Sequence, residues 1–282
     1  MSTLLRIGPA PHIAVAVDGP PLDGPTLASA RAPLIFFLHG IGGSHRQWTA
    51  QLAAFSSRYR VAAWDARGYG ASDDDPAPLQ FSVFADDVVR VLDHLGVARA
   101  HLVGLSMGGR IARDVALRYP ARLASLTLAN TSPGFDALPL AEQQAFVAAR
   151  AAPLRAGKTP AELAPMLVTK LVHPNASASA RAQAIAMMGD LHPESYIKTV
   201  EASVSQDRAA PLERITTPTL VIASDADPLY PITVAEEIAR RVTGAALVVI
   251  SQCGHLSNIE QPAAFNAALS AFLEKQHTDQ AG

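Results

Sequence analysis

The chain has 282 residues, 49% of them hydrophobic and 17% charged, which is enough apolar material for one large domain, with or without an insertion, and too much for a disordered chain. With 23 Lys and Arg against 25 Asp and Glu, the net charge of −2 leaves no basic footprint for nucleic acid and no charge run for a membrane surface. The single cysteine, Cys253, excludes an internal disulfide, residues 1–19 do not resemble a signal peptide, and no apolar run approaches the roughly 20 residues of a membrane helix. The expectation is a cytoplasmic protein that works on small molecules.

In chain order, residues 13–17 alternate weakly and predict an edge strand, followed by a turn-rich connector over 18–33. Leu34-Ile35-Phe36-Phe37-Leu38 is wholly apolar and closes on His39-Gly40, as a strand buried on both faces does. Trp48, Leu52 and Phe55 give residues 44–58 a helical period, and Val61-Ala62-Ala63-Trp64 is a second short strand. Residues 84–95 are helical, with Val88, Val89, Val91, Leu92 and Leu95 as the apolar positions. Residues 100–105 then form a strand ending in Gly104-Leu105-Ser106-Met107-Gly108, and an amphipathic stretch over 110–119 follows. Further strands are expected at 123–128, 219–223 and 246–250, with helices at 232–242 and 262–272. Such alternation implies a mainly parallel sheet covered on both faces, whose chemistry collects at the carboxyl ends of the strands.

From residue 135 to about 208 the strand rhythm stops and the chain turns Ala-rich and helical, over 141–152, 160–172, 177–188 and 193–204. Thr159-Pro160-Ala161-Glu162 carries a capping Thr, a Pro at the first helical position and a Glu placed to return a hydrogen bond. The expected organisation is a core at 1–134, a helical cap at 135–208 and the rest of the core at 209–282. Met166, Met187 and Met188 are candidates for an adaptable pocket, together with Trp48, although helix packing explains the methionines as well.

The strand ends supply a chemical set. In a Gly-x-Ser-x-Gly turn the serine adopts a strained backbone, and small residues two before and two after it make room. Ser106 is then lifted above the sheet at the first turn of a helix, where free N–H groups favour negative charge. His255, directly after the final strand, is the candidate base. Asp227 is preferred over Asp225 as its carboxylate partner, because the later residue reaches further into the loop while Asp225 caps the turn. The backbone N–H groups of Ile41 and Met107 are candidate oxyanion donors. His39 is assigned to holding the Gly loop, Asp65 and Arg67 to a structural turn, and Glu260 to supporting the His255 loop. Cys253 is read as inert, since nothing in its surroundings would favour a thiolate.

With these residues in view, the chain resembles the serine α/β-hydrolases over nearly its whole length. Its His39-Gly40 loop, the 65–72 turn, the Ser106 elbow, Asp227 and His255 occur in family order. Gly254-His255-Leu256-Ser257-Asn258-Ile259-Glu260-Gln261-Pro262 resembles 3-oxoadipate enol-lactonases and related carboxylesterases in particular. The resemblance implies an α/β-hydrolase fold with an inserted cap and hydrolysis of a small ester or lactone through an acyl-enzyme, without a cofactor. Carbon-carbon hydrolases of ring-cleavage products carry Asn and Trp where this chain has Leu105 and Leu256, so they rank lower. The same fold also admits cofactor-free perhydrolysis and a ligand sensor that catalyses nothing.

Overall fold

The computed structural model describes residues 2–20, 32–208 and 210–281, so most of the connector expected over 18–33 lies outside the described residues. Its centre is an eight-stranded sheet of β1 (Thr3–Ile7), β2 (Ile13–Asp18), β3 (Leu34–Leu38), β4 (Arg60–Trp64), β5 (Ala100–Leu105), β6 (Leu123–Ala129), β7 (Thr219–Ser224) and β8 (Ala246–Ile250). The spatial order is β1-β2-β4-β3-β5-β6-β7-β8. Only the β1–β2 and β2–β4 pairings are antiparallel. Strands β3 and β5 are buried along their whole length, which is why they carry no polar alternation.

Helices α1 (Thr49–Phe55), α2 (Val83–His94) and α3 (Met107–Arg118) make the crossovers that parallel pairing requires. The aromatic core forms where β3 meets these layers. Phe37 stacks on Trp48 at a ring-centroid distance of 4.9 Å, Phe36 meets Trp64 edge-on at 6.0 Å, and Trp48 also packs on Phe265 at 5.9 Å.

The segment expected as an edge strand is not one. β2 lies between β1 and β4, and the edge is β1, which shows no apolar period because four of its five residues are exposed or half-buried.

After β6 the chain enters four helices, α4 (Leu140–Arg155), α5 (Pro160–Thr169), α6 (Ala178–Gly189) and α7 (Pro193–Gln206), and then returns to β7 beside β6. The two connections are stapled together. Phe135 N–H donates to the Asp207 carbonyl at 3.1 Å, and Ala210 N–H donates to that of Pro133 at 3.1 Å. Beneath the staple, the Asp207 carboxylate lies between Arg110 and Arg113, which are both buried on α3, so the insertion is bolted to the helix that follows Ser106. At the start of α5, Thr159 Oγ1 accepts from Glu162 N–H at 3.3 Å while Thr159 N–H donates to Glu162 Oε2 at 2.7 Å, a complete capping box.

The last part of the chain carries α8 (Ile232–Arg241), the single turn α9 (Ser257–Glu260) and α10 (Pro262–Ala281). Helix α5 stops at Thr169 rather than at 172, and just beyond it the carbonyl of Leu171 accepts the His255 N–H at 2.8 Å. No helix among the described residues is long and apolar enough to cross a membrane.

Candidate active site

Ser106 sits between β5 and α3 at φ 57° and ψ −117°, a conformation that costs a non-glycine residue roughly 1–3 kcal/mol and persists only where the surroundings enforce it. Hydrogen bonds on both sides of the residue do so. Ser106 N–H donates to Ala129 O at 2.9 Å, while Ser106 O accepts from Gly109 N–H at 3.0 Å and Thr131 Oγ1 at 2.7 Å. The crossing of strand and helix is so close that a Cβ on Gly104 would run into the Gly108 carbonyl, and one on Gly108 into that of Leu38.

His255 and Asp227 meet at the same rim. The ring Nδ1 is 3.0 Å and 3.1 Å from the two carboxylate oxygens. An ionised carboxylate only accepts, so Nδ1 carries a hydrogen, and in the neutral ring that tautomer puts the lone pair on Nε2. Burial pushes the Asp227 carboxyl up, but His255, the Leu229 N–H and the Asn130 amide outweigh it and hold the group below the usual carboxylate range. Leu229 N–H donates to Asp227 Oδ1 at 2.8 Å and Asn130 Nδ2 donates to Oδ2 at 3.0 Å. Glu260 fixes the histidine's flanks by accepting from Gly254 N–H at 3.0 Å and from Leu256 N–H at 2.9 Å. It also accepts from His173 N–H at 2.7 Å, which ties the loop to the inserted helices.

The Gly loop after β3 closes over the serine, and a Cβ on Gly40 would stand 3.1 Å from that of Ser106. His39 holds this loop. Its Nε2 accepts the Ala66 N–H at 2.9 Å, which leaves Nδ1–H to donate to Gly40 O at 2.8 Å. Complete burial lowers the His39 pKa to about 4, so the ring stays neutral. Ile41 follows in the loop, and Met107 is the first residue of α3, where N–H groups have no acceptor within the helix.

Gly40, Ile41, Ser106 and His255 all line one cavity, whose empty space is about 640 Å³ with its open mouth included. The insertion roofs it with Phe146, Arg150, Leu167, Leu171, Met187, Met188 and Tyr196. Of the pocket residues expected from sequence, Met187 and Met188 lie in this wall. Trp48 and Met166 do not: Trp48 is consumed by its stack on Phe37 in the core, and Met166 faces outward at 45% exposure.

The remaining assignments concern support. Asp225 accepts from Gln252 N–H at 2.9 Å and Cys253 N–H at 3.1 Å, capping the turn before the histidine. Asp65 accepts from His45 N–H at 2.7 Å and Ala71 N–H at 2.9 Å, while Arg67 pairs with Asp75 and Asp87. Cys253 is fully buried and burial pushes its thiol up to about 12, which suppresses the thiolate. A second histidine–serine pair, His101 Nδ1 with Ser125 Oγ at 2.8 Å, is buried between β5 and β6 and lines no part of the cavity.

The sequence pattern alone assigns Asn130 no role. The structure shows it at φ 44° with its amide on Asp227 and Ser224 and its carbonyl accepting from Ser257 Oγ, so it bridges the acid loop and the histidine loop. Its place one residue past β6, level with the elbow, was the available signal. Arg110, Phe135, Phe146, Arg150 and Tyr230 in the cavity wall were missed as well, and the four-residue spacing of Phe146 and Arg150 on one helix was their only trace.

The α/β-hydrolase-fold family model matches residues 33–262. Over 268 residues the chain is 31% identical to 3-oxoadipate enol-lactonase 2 of Acinetobacter baylyi, an alignment covering 90% of this chain and 93% of that protein. The crystal structure of a hydrolase from Pseudomonas aeruginosa superposes with a TM-score of 0.82 at 33% identity, covering 96% of this chain and 98% of that one. The enol-lactonase from Burkholderia xenovorans gives a TM-score of 0.80 at 26% identity, covering 96% of this chain and 100% of that one.

Proposed function

The chain belongs to the α/β-hydrolase family, and from that premise we propose that Ser106, His255 and Asp227 are the nucleophile, general base and orienting acid of a hydrolase for small carboxylic esters or lactones. The observation that carries the reading is a strained serine facing the same cavity as an imidazole whose Nδ1 is held by a buried carboxylate. The likeness to enol-lactonases supports the substrate class. Residues 135–208 act as the cap of this site.

In the proposed reaction His255 Nε2 takes the Ser106 hydroxyl proton as Oγ bonds to the substrate carbonyl carbon. The carbonyl oxygen becomes an oxyanion and accepts from the N–H groups of Ile41 and Met107. Collapse breaks the bond to the leaving alkoxide, which receives the proton from His255. Water, deprotonated by the same nitrogen, then attacks the acyl-enzyme to release the acid and restore Ser106. Asp227 stays ionised and stabilises the imidazolium. Every group in this sequence belongs to the protein, the substrate or water.

Removing the nucleophile tests the reading directly. Ser106→Ala is expected to lower kcat/KM for p-nitrophenyl acetate by roughly 10⁴-fold or more, while circular dichroism shows an unchanged fold. Full turnover by that variant would overturn the assignment.

A further inference from the structure

Behind the Gly loop runs a ladder of buried amides. Gly40 to Gly43 is a closed turn: Gly43 N–H donates to Gly40 O at 3.0 Å, Gly42 takes φ 87°, and the N–H of Ile41 is left out of the turn. A Cβ on Gly43 would run into Gln47 Oε1, so that side chain backs the turn directly. Gln47 lies in the short turn His45–Trp48, and its Nε2 donates to Asn258 Oδ1 at 3.2 Å. Asn258, three residues after His255 on α9, returns a bond from Nδ2 to the Gln47 carbonyl at 2.8 Å. An outer rung joins Asn258 to Gln51 of α1, through Asn258 Nδ2 to Gln51 Oε1 at 3.3 Å and Gln51 Nε2 to the Asn258 carbonyl at 3.2 Å. Gln47, Gln51 and Asn258 are at most 2% exposed.

Elementary bonding rules fix the direction of the inner rung. A main-chain carbonyl only accepts, so the end of Asn258 on Gln47 O is Nδ2. Its Oδ1 then accepts, the group donating to it is Gln47 Nε2, and Oε1 is the end left against Gly43. The rung therefore spans from the turn carrying Ile41 to the turn carrying His255, which lie 211 residues apart when measured from Gln47 to Asn258.

We propose that Gln47 and Asn258 are positioning residues that set the distance between the oxyanion turn and His255. They act through Gly43 on one side and through α9 on the other. This inference rests on the hydrolase reading above and adds to it the device that holds its two halves in register. The competing account is a staple that only docks α1 onto α9, a job in which Gln51 counts as much as Gln47.

The test sets Gln47→Met, which removes the inner rung, against Gln51→Met, which removes the outer rung and leaves Asn258 bonded to the Gln47 main chain and side chain. Each is measured for kcat and KM on p-nitrophenyl acetate, for the Ki of an aryl trifluoromethyl ketone and for its urea midpoint. The ketone reports the spacing itself: Ser106 Oγ adds to its carbonyl carbon, His255 takes the serine proton, and the oxyanion formed sits in the turn. Both variants are expected to lose comparable stability. Gln47→Met should lower kcat roughly 10- to 100-fold with KM within about threefold, and should weaken the ketone by a similar factor. Gln51→Met should leave kcat and Ki within about threefold. Asn258→Asp, which keeps the shape but turns an acceptor toward two carbonyls, should repeat the Gln47→Met pattern. Equal kcat losses in Gln47→Met and Gln51→Met, an unchanged kcat in Gln47→Met, or a fall in kcat with an unaltered Ki would overturn the inference. If the wild type neither hydrolyses p-nitrophenyl acetate nor binds the ketone, the hydrolase reading fails instead.

Discussion

The two sides of the cavity are held by different forces. On the core side, Ser106, Asp227 and His255 are each fixed by hydrogen bonds from buried backbone or amide groups, and their positions follow from turns at the ends of β5, β7 and β8. On the roof, Leu167, Leu171, Met187 and Met188 are placed by helix packing, and the charged group among them, Arg150, is braced by a ring. If Ser106, His255 and Asp227 react as proposed, the contrast separates chemistry from selection: hydrogen-bonded turns leave these side chains one position, while packed helices leave a pocket whose shape and charge can change without disturbing them.

The largest expected effect tests that separation from the core side. Asp227→Asn should lower kcat for a small neutral ester by roughly 10⁴-fold with KM nearly unchanged, because the imidazole loses its tautomer and orientation while the roof is untouched. A KM effect as large as the kcat effect would show that the two sides are not separable.

Next in size is the joint between them. Asp207→Ala leaves Arg110 and Arg113 buried beside the stapled connections, and a buried pair broken on one side costs about 3–5 kcal/mol. Urea unfolding should show a loss of that order, and a change below about 1 kcal/mol would mean that the helices dock independently of this joint.

The smallest effect concerns the loop over the serine. His39 has a folded pKa of about 4, below the 6.5 of an unfolded histidine, so the unfolded chain takes up the proton first as pH falls. The neutral ring contributes nothing pH-dependent above about 6.5, and stability is lost between there and about pH 4, by about 3 kcal/mol at most. Urea titrations at pH 7 and pH 5 should show this slope in the wild type and a shallower one in His39→Asn. Parallel slopes would contradict it.

What was legible in the sequence divides along the same line. Ser106, Asp227, His255 and the Gly loop announce themselves because turns at strand ends demand particular residues, and chain order leaves few candidates for each place. Asn130 was visible but its role was not, since that depends on two loops brought to it from the far end of the chain. β1 gave no periodic signal because it is mostly exposed. Arg150 and Phe146 look like any helix surface until the fold turns that face toward Ser106. Trp48 misled for the opposite reason: a large aromatic suits a pocket or a core equally, and here Phe37 and Phe265 claim it.

The most direct measurement is to incubate the protein with a p-nitrophenyl alkylphosphonate and read the intact mass and the modified peptide. One adduct per chain, on the peptide carrying Ser106, formed much more slowly in His255→Ala, is the predicted result. An adduct elsewhere, for instance on Ser125 beside His101, or none in a protein that still hydrolyses esters, would contradict the account.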